Sequence, residues 1–336
     1  MPGASNPLVS FVVPCYNYGR FLPDCLGSIF AQEGGYDFEI VAVDDASTDD
    51  TLEILDRFRE PRLRVIRHER NQGHAQTFTD GLCAARGELV ARIDPDDRHR
   101  PYFLKRTVPV FAKYPEVGMV YGDASLIGDS GQEYAPKSDR KHGGRDFKGC
   151  KLIDLLEENF ICAPTIIARR ECFVRQLPVP PHLAFHDWFF TVKMARETEF
   201  YYVAAVLADY RVHSANLHSR IVLNKTEEPS IFWLLNQVYS SEERTPELQR
   251  RKLRAKGRIY GNQYRDSADK YFGAFMNADA RRCYWQAIRH CPLNLLSPAL
   301  MRRFLATLVG RSTYEYAKRL GRSISAPQRA LPERTQ

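Results

Sequence analysis

Three carboxylates fall within four residues at Asp94, Asp96 and Asp97, interrupted only by Pro95 and entered directly from the run 88–93, which reads as a buried strand. Like charges this close repel, and each raises the pKa of the next, so the cluster costs free energy unless a cation shares it. Oxygen-only donors suit Mg2+ or Mn2+ better than Zn2+. Asp and Pro are also ordinary turn formers, and paired Asp residues cap helices. The four residues by themselves therefore leave a metal seat and a solvated turn equally open.

Such a turn needs a scaffold, and the front of the chain supplies one. Apolar runs of strand length at residues 8–13, 38–43, 63–67, 88–93 and 117–121 alternate with segments of helical period at 21–31, 51–58, 76–85 and 102–114. That alternation predicts an α/β fold, a mostly parallel sheet with crossover helices on both faces. In open sheets of this kind ligands sit beyond the carboxyl ends of the strands. The loops to inspect are Pro14-Cys15-Tyr16-Asn17-Tyr18, Asp44-Asp45-Ala46-Ser47-Thr48-Asp49-Asp50-Thr51 and Asp94-Pro95-Asp96-Asp97. No G-x-G-x-x-G follows the first strand and no G-x-x-x-x-G-K-S/T occurs anywhere, so neither glycine-rich mode of phosphate binding is supported.

Taken together, Val12-Val13-Pro14-Cys15-Tyr16-Asn17, the Asp44 to Thr51 loop, Asn71-Gln72-Gly73 with Gly81, Ala85-Arg86-Gly87-Glu88 and Asp94-Pro95-Asp96-Asp97 resemble the family 2 glycosyltransferases of the GT-A fold, over about residues 8–215. The resemblance implies a Rossmann-like sheet and a nucleoside-diphosphate sugar donor. Pro14, Tyr16, Asn17 and Asp45 would then form the nucleoside pocket. An aromatic ring such as Tyr16 offers a base a stacking face, and the Asp45 carboxylate would accept the imide N–H of uracil or thymine, which favours a UDP or dTDP sugar. The competing readings are a half-buried loop tyrosine, and Asp44 or Asp49 capping the helix that begins near Thr51. Asp94-Pro95-Asp96-Asp97 resembles the D-x-D element of the family. Asp94 and Asp96 would meet the donor, and Asp96 and Asp97 would hold Mn2+ or Mg2+ on the diphosphate. Pro95 stands where the family more often has a small residue.

The segment Ala184-Phe185-His186-Asp187-Trp188-Phe189-Phe190 resembles the family element that supplies the catalytic base, with Asp187 in that position and His186 where many relatives carry Glu. A plain N-cap for a helix over 188–196 is the alternative for Asp187. Tyr210-Arg211-Val212-His213-Ser214-Ala215-Asn216 resembles a segment that closes over the diphosphate. Arg211 would pair with phosphate oxygens, and His213 would donate to them or join the metal shell. Asp187 would activate an acceptor hydroxyl for direct displacement, inverting the anomeric carbon. Arg169 and Arg170, beside an expected strand over 165–168, read as fold-supporting or rim residues rather than catalytic ones.

Composition sets the frame. The chain has 336 residues, 44% hydrophobic and 26% charged, the balance of a folded protein rather than a disordered one. Its eight cysteines form no Cys-x-x-Cys pair, against both a zinc site and a secreted disulfide scaffold. No apolar run approaches the ~20 residues of a membrane span, and Met1 to Ser5 lack the start of a signal peptide, so a cytoplasmic protein is expected. The charge is uneven. Residues 220–336 hold 22 Lys and Arg against 10 Asp and Glu, leaving 26 against 31 for residues 1–219.

The division expected is a catalytic domain over 1–219, a basic helical extension over 220–322 and a disordered tail over 323–336. Within the catalytic domain, residues 1–122 would bind the nucleotide sugar and residues 123–219 the acceptor. The basic, glycine-bearing segment 137–148 of the acceptor region suits a substrate-ordered loop. Helices are expected over 248–276, 278–290 and 298–309. The last of these, with Leu300, Phe304, Leu305 and Leu308 beside Arg302 and Arg303, fits either an anionic membrane at its inner face or packing on the catalytic domain. A glycan or lipid-linked acceptor, polysaccharide or surface-glycan assembly, and no nucleic-acid partner complete the expectation. A noncatalytic nucleotide-sugar scaffold and a sugar nucleotidyltransferase are the alternatives. The latter usually needs a glycine-rich basic loop that residues 14–20 do not provide.

Overall fold

The apolar runs at the front of the chain form β1 (Val9–Cys15), β2 (Phe38–Asp44), β3 (Leu63–Arg67) and β4 (Leu89–Arg92) in a computed structural model, which describes residues 7–137, 142, 144–213 and 221–309. Residues 323–336, residues 138–141 and 143 of the basic segment, and Ser214, Ala215 and Asn216 lie outside the described residues. The four strands pair in parallel in the order β3-β2-β1-β4. Their crossovers are α1 (Leu22–Phe30), α2 (Thr51–Arg57) and α3 (His74–Ala84). Side chains of β1 alternate between the faces, as strand geometry requires. Phe11 and Val13 join a core with Leu26, Ile29 and Phe103, while Val12 points the other way to Phe78 and Leu82.

Beyond β4 the sheet changes character. The short strand β5 (Arg98–His99) and helix α4 (Phe103–Lys113) lead to β6 (Val117–Ile127), whose later half pairs with β7 (Glu133–Lys137) and runs past the expected end at residue 121. After β8 (Phe147–Gly149) and α5 (Leu152–Glu157), strand β9 (Ile167–Arg169) inserts between β4 and β6, antiparallel to both. Because β9 runs backwards, Ala91 faces Ile167, and the residues just before β9 emerge at the carboxyl end of β4. Arg169 supports this join by donating to the carbonyls of Val117 and Phe111 and pairing with Glu88.

After α6 (Arg170–Val174) and α7 (Asp187–Glu197), the 13-residue strand β10 (Glu199–Arg211) lies parallel to β6 and carries its end to the same edge. Six strands therefore share one direction, and four, β5, β7, β8 and β9, run against them. The mixed ten-stranded sheet keeps the expected parallel character where the loops of interest leave it.

The C-terminal helices are α8 (Glu227–Tyr239), α9 (Pro246–Gly273), α10 (Asn277–His290) and α11 (Pro298–Val309). Packing divides them inside α9. Leu234 and Leu235 of α8 and Ile259 of α9 share a core with Trp188, Phe190 and Tyr202, whereas Tyr271 and Phe272 belong to a separate cluster with Cys283, Tyr284 and Leu300. Helix α11 therefore packs on its helical neighbours rather than on the sheet. No helix among the described residues is long and apolar enough to cross a membrane.

A buried ionic triad ties α9 to α7. Lys252 Nζ donates to Glu243 Oε1 at 2.7 Å and to the carbonyl of Val238 at 2.8 Å, while Arg196 of α7 donates to both oxygens of Glu243. Lys252 and Glu243 are both at zero side-chain exposure. Removing Glu243 strands the Lys252 charge in the core and takes the carboxylate from Arg196, which costs about 3–5 kcal/mol, whereas Glu243 keeps Arg196 if Lys252 is lost. Glu243→Leu is expected to lose that much stability by chemical denaturation, and a second change, Lys252→Met, to restore a large part of it.

Candidate functional site

The first two loops are clasped by hydrogen bonds rather than by apolar packing. Asn17 adopts φ +58° and accepts the Thr48 amide at 2.7 Å, while its own amide donates to Ser47 Oγ. Asp49 accepts the amides of Gly19 and Thr51 at 3.0 Å each, so the capping role belongs to Asp49 and not to Asp44. A Cβ at Gly19 would lie 2.0 Å from Asp50 Oδ1, which explains glycine at this close approach. The clasp leaves Pro14, Tyr16 and Asn17 on the wall of a cleft of about 1780 Å³, with the Tyr16 ring exposed.

Asp45 sits deeper in the same wall. Its Oδ1 accepts the Gln72 amide at 2.8 Å and faces His68 Nδ1 at 2.8 Å, and its Oδ2 accepts the Gly73 amide at 2.9 Å. Burial opposes the charged form, but the Gln72 amide, His68 and the Gly73 amide outweigh it and hold the carboxyl below the usual aspartate range. Asp45 thus fixes the 71–73 turn, a role invisible in the linear pattern.

At the end of β4 the three carboxylates receive three different treatments. Arg92 Nη2 donates to both oxygens of Asp94, at 2.8 and 2.9 Å, and His74 Nε2 lies 3.2 Å from Asp94 Oδ1. Burial disfavours the charge on Asp94, yet Arg92 and His74 together keep it ionised far below the usual range. Asp96 meets His213 Nε2 at 2.9 Å, and burial followed by the Asp94 charge raises its pKa. Asp97 is buried away from the cleft. Its Oδ1 accepts the Arg211 amide at 2.8 Å, and burial, then Asp96 and Asp94, push its carboxyl well up.

Arg211, expected at the donor phosphates, lies elsewhere. Its guanidinium donates to the carbonyls of Asp96, Gly128 and Asp129 and to Asp24 Oδ2, over the ring of Phe21, and it does not line the cleft. It joins the acidic turn, the 128–129 turn and α1. The physical reason is position: residue 211 is the last of β10, level with the backbone of the turn rather than above it.

Asp187 opens α7 on the wall of the same cleft, half-buried and close enough to Arg92 for its charge to act on it, with Oδ2 accepting Asn159 Nδ2 at 3.3 Å. His186 beside it is packed between the rings of His74 and Phe78, at 4.6 and 5.6 Å. Burial, then the Arg92 and His74 charges, drive its pKa well below the histidine range, so it is neutral at pH 7.

The structure therefore brings Tyr16, Asp45, Asp94, Asp96, His213 and Asp187 to one cleft and leaves Asp97 and Arg211 behind it. It adds His74, Arg92 and Asn159, which sequence reasoning passed over. Arg92 had a signal, as a charged residue in the otherwise apolar strand text Leu89-Val90-Ala91-Arg92-Ile93. The far wall adds Glu227 and Ile231 of α8 and Gln263, Asp266 and Lys270 of α9.

Among the described residues no group of three His, Cys, Asp or Glu side chains forms a preformed metal cage. Asp96 beside His213 could offer a divalent cation one carboxylate and one imidazole, and a carboxylate with substrate phosphates completing the shell is the donor set that suits Mg2+ or Mn2+.

Residues 10–175 match the family described as glycosyl transferase family 2. An uncharacterized glycosyltransferase of Nostoc sp. is 30% identical over 226 residues, covering 62% of this chain and 66% of that protein. The succinoglycan biosynthesis protein ExoO of Rhizobium meliloti is 39% identical over 102 residues, 30% of this chain and 29% of its own length. The chain thus spans two thirds or less of these curated relatives. Among solved structures, Staphylococcus aureus TarS 1–349 in complex with UDP-GlcNAc aligns over 89% of this chain and 90% of its own, with a TM-score of 0.55 and 18% identity. The mannosyltransferase PcManGT of Pyrobaculum calidifontis, in complex with GDP-Man and Mn2+, covers 91% and 85% at TM-score 0.59 and 17% identity. At these identities the structural matches establish the fold.

Two expectations follow from the geometry. Arg211→Lys keeps the charge but cannot span its four acceptors, so the protein without ligand should lose about 2–4 kcal/mol in denaturant titration; unchanged stability with weakened nucleotide binding would instead place Arg211 at the donor. Asp45 contributes stability that is present above the usual aspartate pKa and lost as pH falls through its lowered value. Asp45→Asn should therefore lower the thermal midpoint at pH 7, and the gap to the parent protein should narrow on acidification.

Proposed function

The chain belongs, through residues 10–175, to the family 2 glycosyltransferases, built on the GT-A fold, and on that premise we propose that it is an inverting, metal-dependent enzyme that moves a sugar from a nucleoside diphosphate to a hydroxyl of a glycan or lipid-linked acceptor. The observation that carries this reading is that one cleft holds Asp187 together with Asp94 and the Asp96–His213 pair. A base on one side of the anomeric carbon and leaving-group stabilisation on the other is what direct displacement requires.

In this reading Tyr16 stacks on the base, and Asp45 accepts its imide N–H with the lone pair that Gln72, Gly73 and His68 leave over. That preference favours a UDP or dTDP sugar. Asp94, held ionised by Arg92, and Asp96 face the ribose and diphosphate side. Asp96 and His213 would hold Mn2+ or Mg2+; bound there, the cation supplies charge neutralisation for the departing nucleoside diphosphate. Asp187 takes the proton from the acceptor hydroxyl as that oxygen attacks, and Asn159 keeps its carboxylate turned into the cleft. His186, neutral, packs behind the base without competing for the proton.

We assign residues 1–219 to catalysis, with 1–122 holding the donor and 123–219 the acceptor, and residues 220–322 to an extension whose α8 and α9 wall the acceptor end. The relative named for succinoglycan biosynthesis supports polysaccharide or surface-glycan assembly as the setting. The basic C-terminal helices are the candidate membrane contact.

A thermal-shift panel of UDP, dTDP, GDP and CMP sugars, each with Mn2+, Mg2+ or EDTA, tests the donor site, since a ligand that binds the native state raises its melting temperature. The shift is expected with UDP or dTDP sugars, only with metal, and is expected to vanish in His213→Ala. Asp187→Asn should keep the shift while sugar transfer falls about 10²–10⁴-fold. Transfer by Asp187→Asn at nearly the parent rate would end the base assignment.

A further inference from the structure

Residues 280–309 contain five arginines and not one aspartate or glutamate. Two of the five are engaged: Arg282 forms a bidentate pair with Glu228 of α8 at 2.7 and 2.6 Å, and Arg303 pairs with Asp269 of α9 at 2.5 Å. Arg281, Arg289 and Arg302 have no acidic partner among the described residues, and all three are exposed.

Large apolar side chains are exposed on the same adjoining elements. On α10, Arg281, Trp285 and Arg289 recur every four residues on the outer side, opposite the buried Tyr284 and Ala287. The turn that follows exposes Leu293, Leu295 and Leu296, the last at 77%. On α11, Arg302, Leu305 and Leu308 form the outward stripe, while Leu300 and Ala306 hold the helix to its neighbours. A tryptophan and five leucines, each more than half exposed, are more apolar surface than scattered exposure explains.

We infer that this face docks peripherally on an anionic lipid surface. Trp285, Leu296, Leu305 and Leu308 enter the boundary between headgroups and acyl chains, and Arg281, Arg289 and Arg302 meet lipid phosphates. The mixture of residue types selects this occupant. Nucleic acid would use the arginines but leave the leucines in water. A second copy docked face to face about a two-fold axis would set arginine against arginine with no carboxylate in the patch to relieve them. The inference stands independently of the donor chemistry. It also places the docking helices in one packed unit with α9, whose Asp266 and Lys270 line the cleft.

Cosedimentation of the full chain with phosphatidylcholine vesicles, with and without phosphatidylglycerol, tests it. Binding is expected only with phosphatidylglycerol and should weaken as salt is raised. Arg302→Gln should lower the partition coefficient about fivefold, as for one basic residue near a charged bilayer, and Leu305→Ser with Leu308→Ser should lower it further. All three positions are exposed, so the melting temperature and the donor-induced shift should match the parent, which separates failure here from failure of the enzyme reading. No sedimentation with phosphatidylglycerol vesicles at low salt, or equal sedimentation of parent and variants, overturns the inference. So does a concentration-dependent dimer in sedimentation velocity that the leucine variant abolishes, because that result assigns the face to a second copy.

Discussion

The crowding of Asp94, Asp96 and Asp97 at one strand end is the constraint around which the rest of the sheet is arranged. Three carboxylates in partly buried positions cannot all stay charged without separate partners, and the fold draws those partners from far apart in the chain. Arg92 comes from the same strand, His74 from the start of α3, and His213 with the Arg211 amide from the end of β10. To deliver the last two, β10 must run the full depth of the sheet beside β6, through register shifts near Val203 and Val206. Arg211 then locks the delivery in place by gathering three carbonyls and Asp24 beneath the turn.

Much of this was legible in the amino-acid sequence where the signal is local. The strands at 38–44 and 89–92 follow from near-continuous apolar runs, as expected of parallel strands buried on both faces, and the edge strand at 63–67 follows from its alternation of Leu63, Val65 and Ile66 with arginines. The pairing of Asp96 with a histidine more than a hundred residues away followed only from a resemblance, since no local pattern encodes it. Roles that depend on which way a side chain leaves its strand were not legible. Arg211 and His213 are two residues apart in an extended segment, yet one is spent beneath the turn and the other faces the cleft. Asp96 and Asp97 divide in the same way, one toward His213 and the other into the interior. The insertion of β9 was equally hidden, because the three-residue segment Ile167–Arg169 reads the same whether its neighbours run with it or against it.

The C-terminal helices show how a composition signal can be correct about charge and silent about placement. Their basic excess says nothing of where each cation goes. In the structure Lys252 is fully buried on Glu243, Arg282 and Lys270 neutralise Glu228 and Glu227, and only a subset of the arginines reaches solvent without an acid. The helices therefore serve two surfaces at once. One side brings Glu227, Gln263 and Asp266 to the cleft, where carboxylates and an amide can take the hydroxyls of a polyol, and the other side carries arginine and leucine outward.

The charges in the cleft are divided by place. Asp94, Asp96 and Asp187 share its wall with Arg20, Arg70 and Lys270, and Arg92 is already committed to Asp94 through both of its oxygens. Arg211 is buried beneath the turn and contributes no hydrogen-bond donor to the lining. Asp96 and His213, which line this part of the cleft, are the residues that could share a divalent cation with a bound diphosphate. The carboxylates that make the turn costly in isolation are thus each given a partner of their own, Asp94 held by Arg92, Asp96 set against His213 and Asp97 capped by the Arg211 amide, so that the turn keeps its shape at the mouth of the cleft.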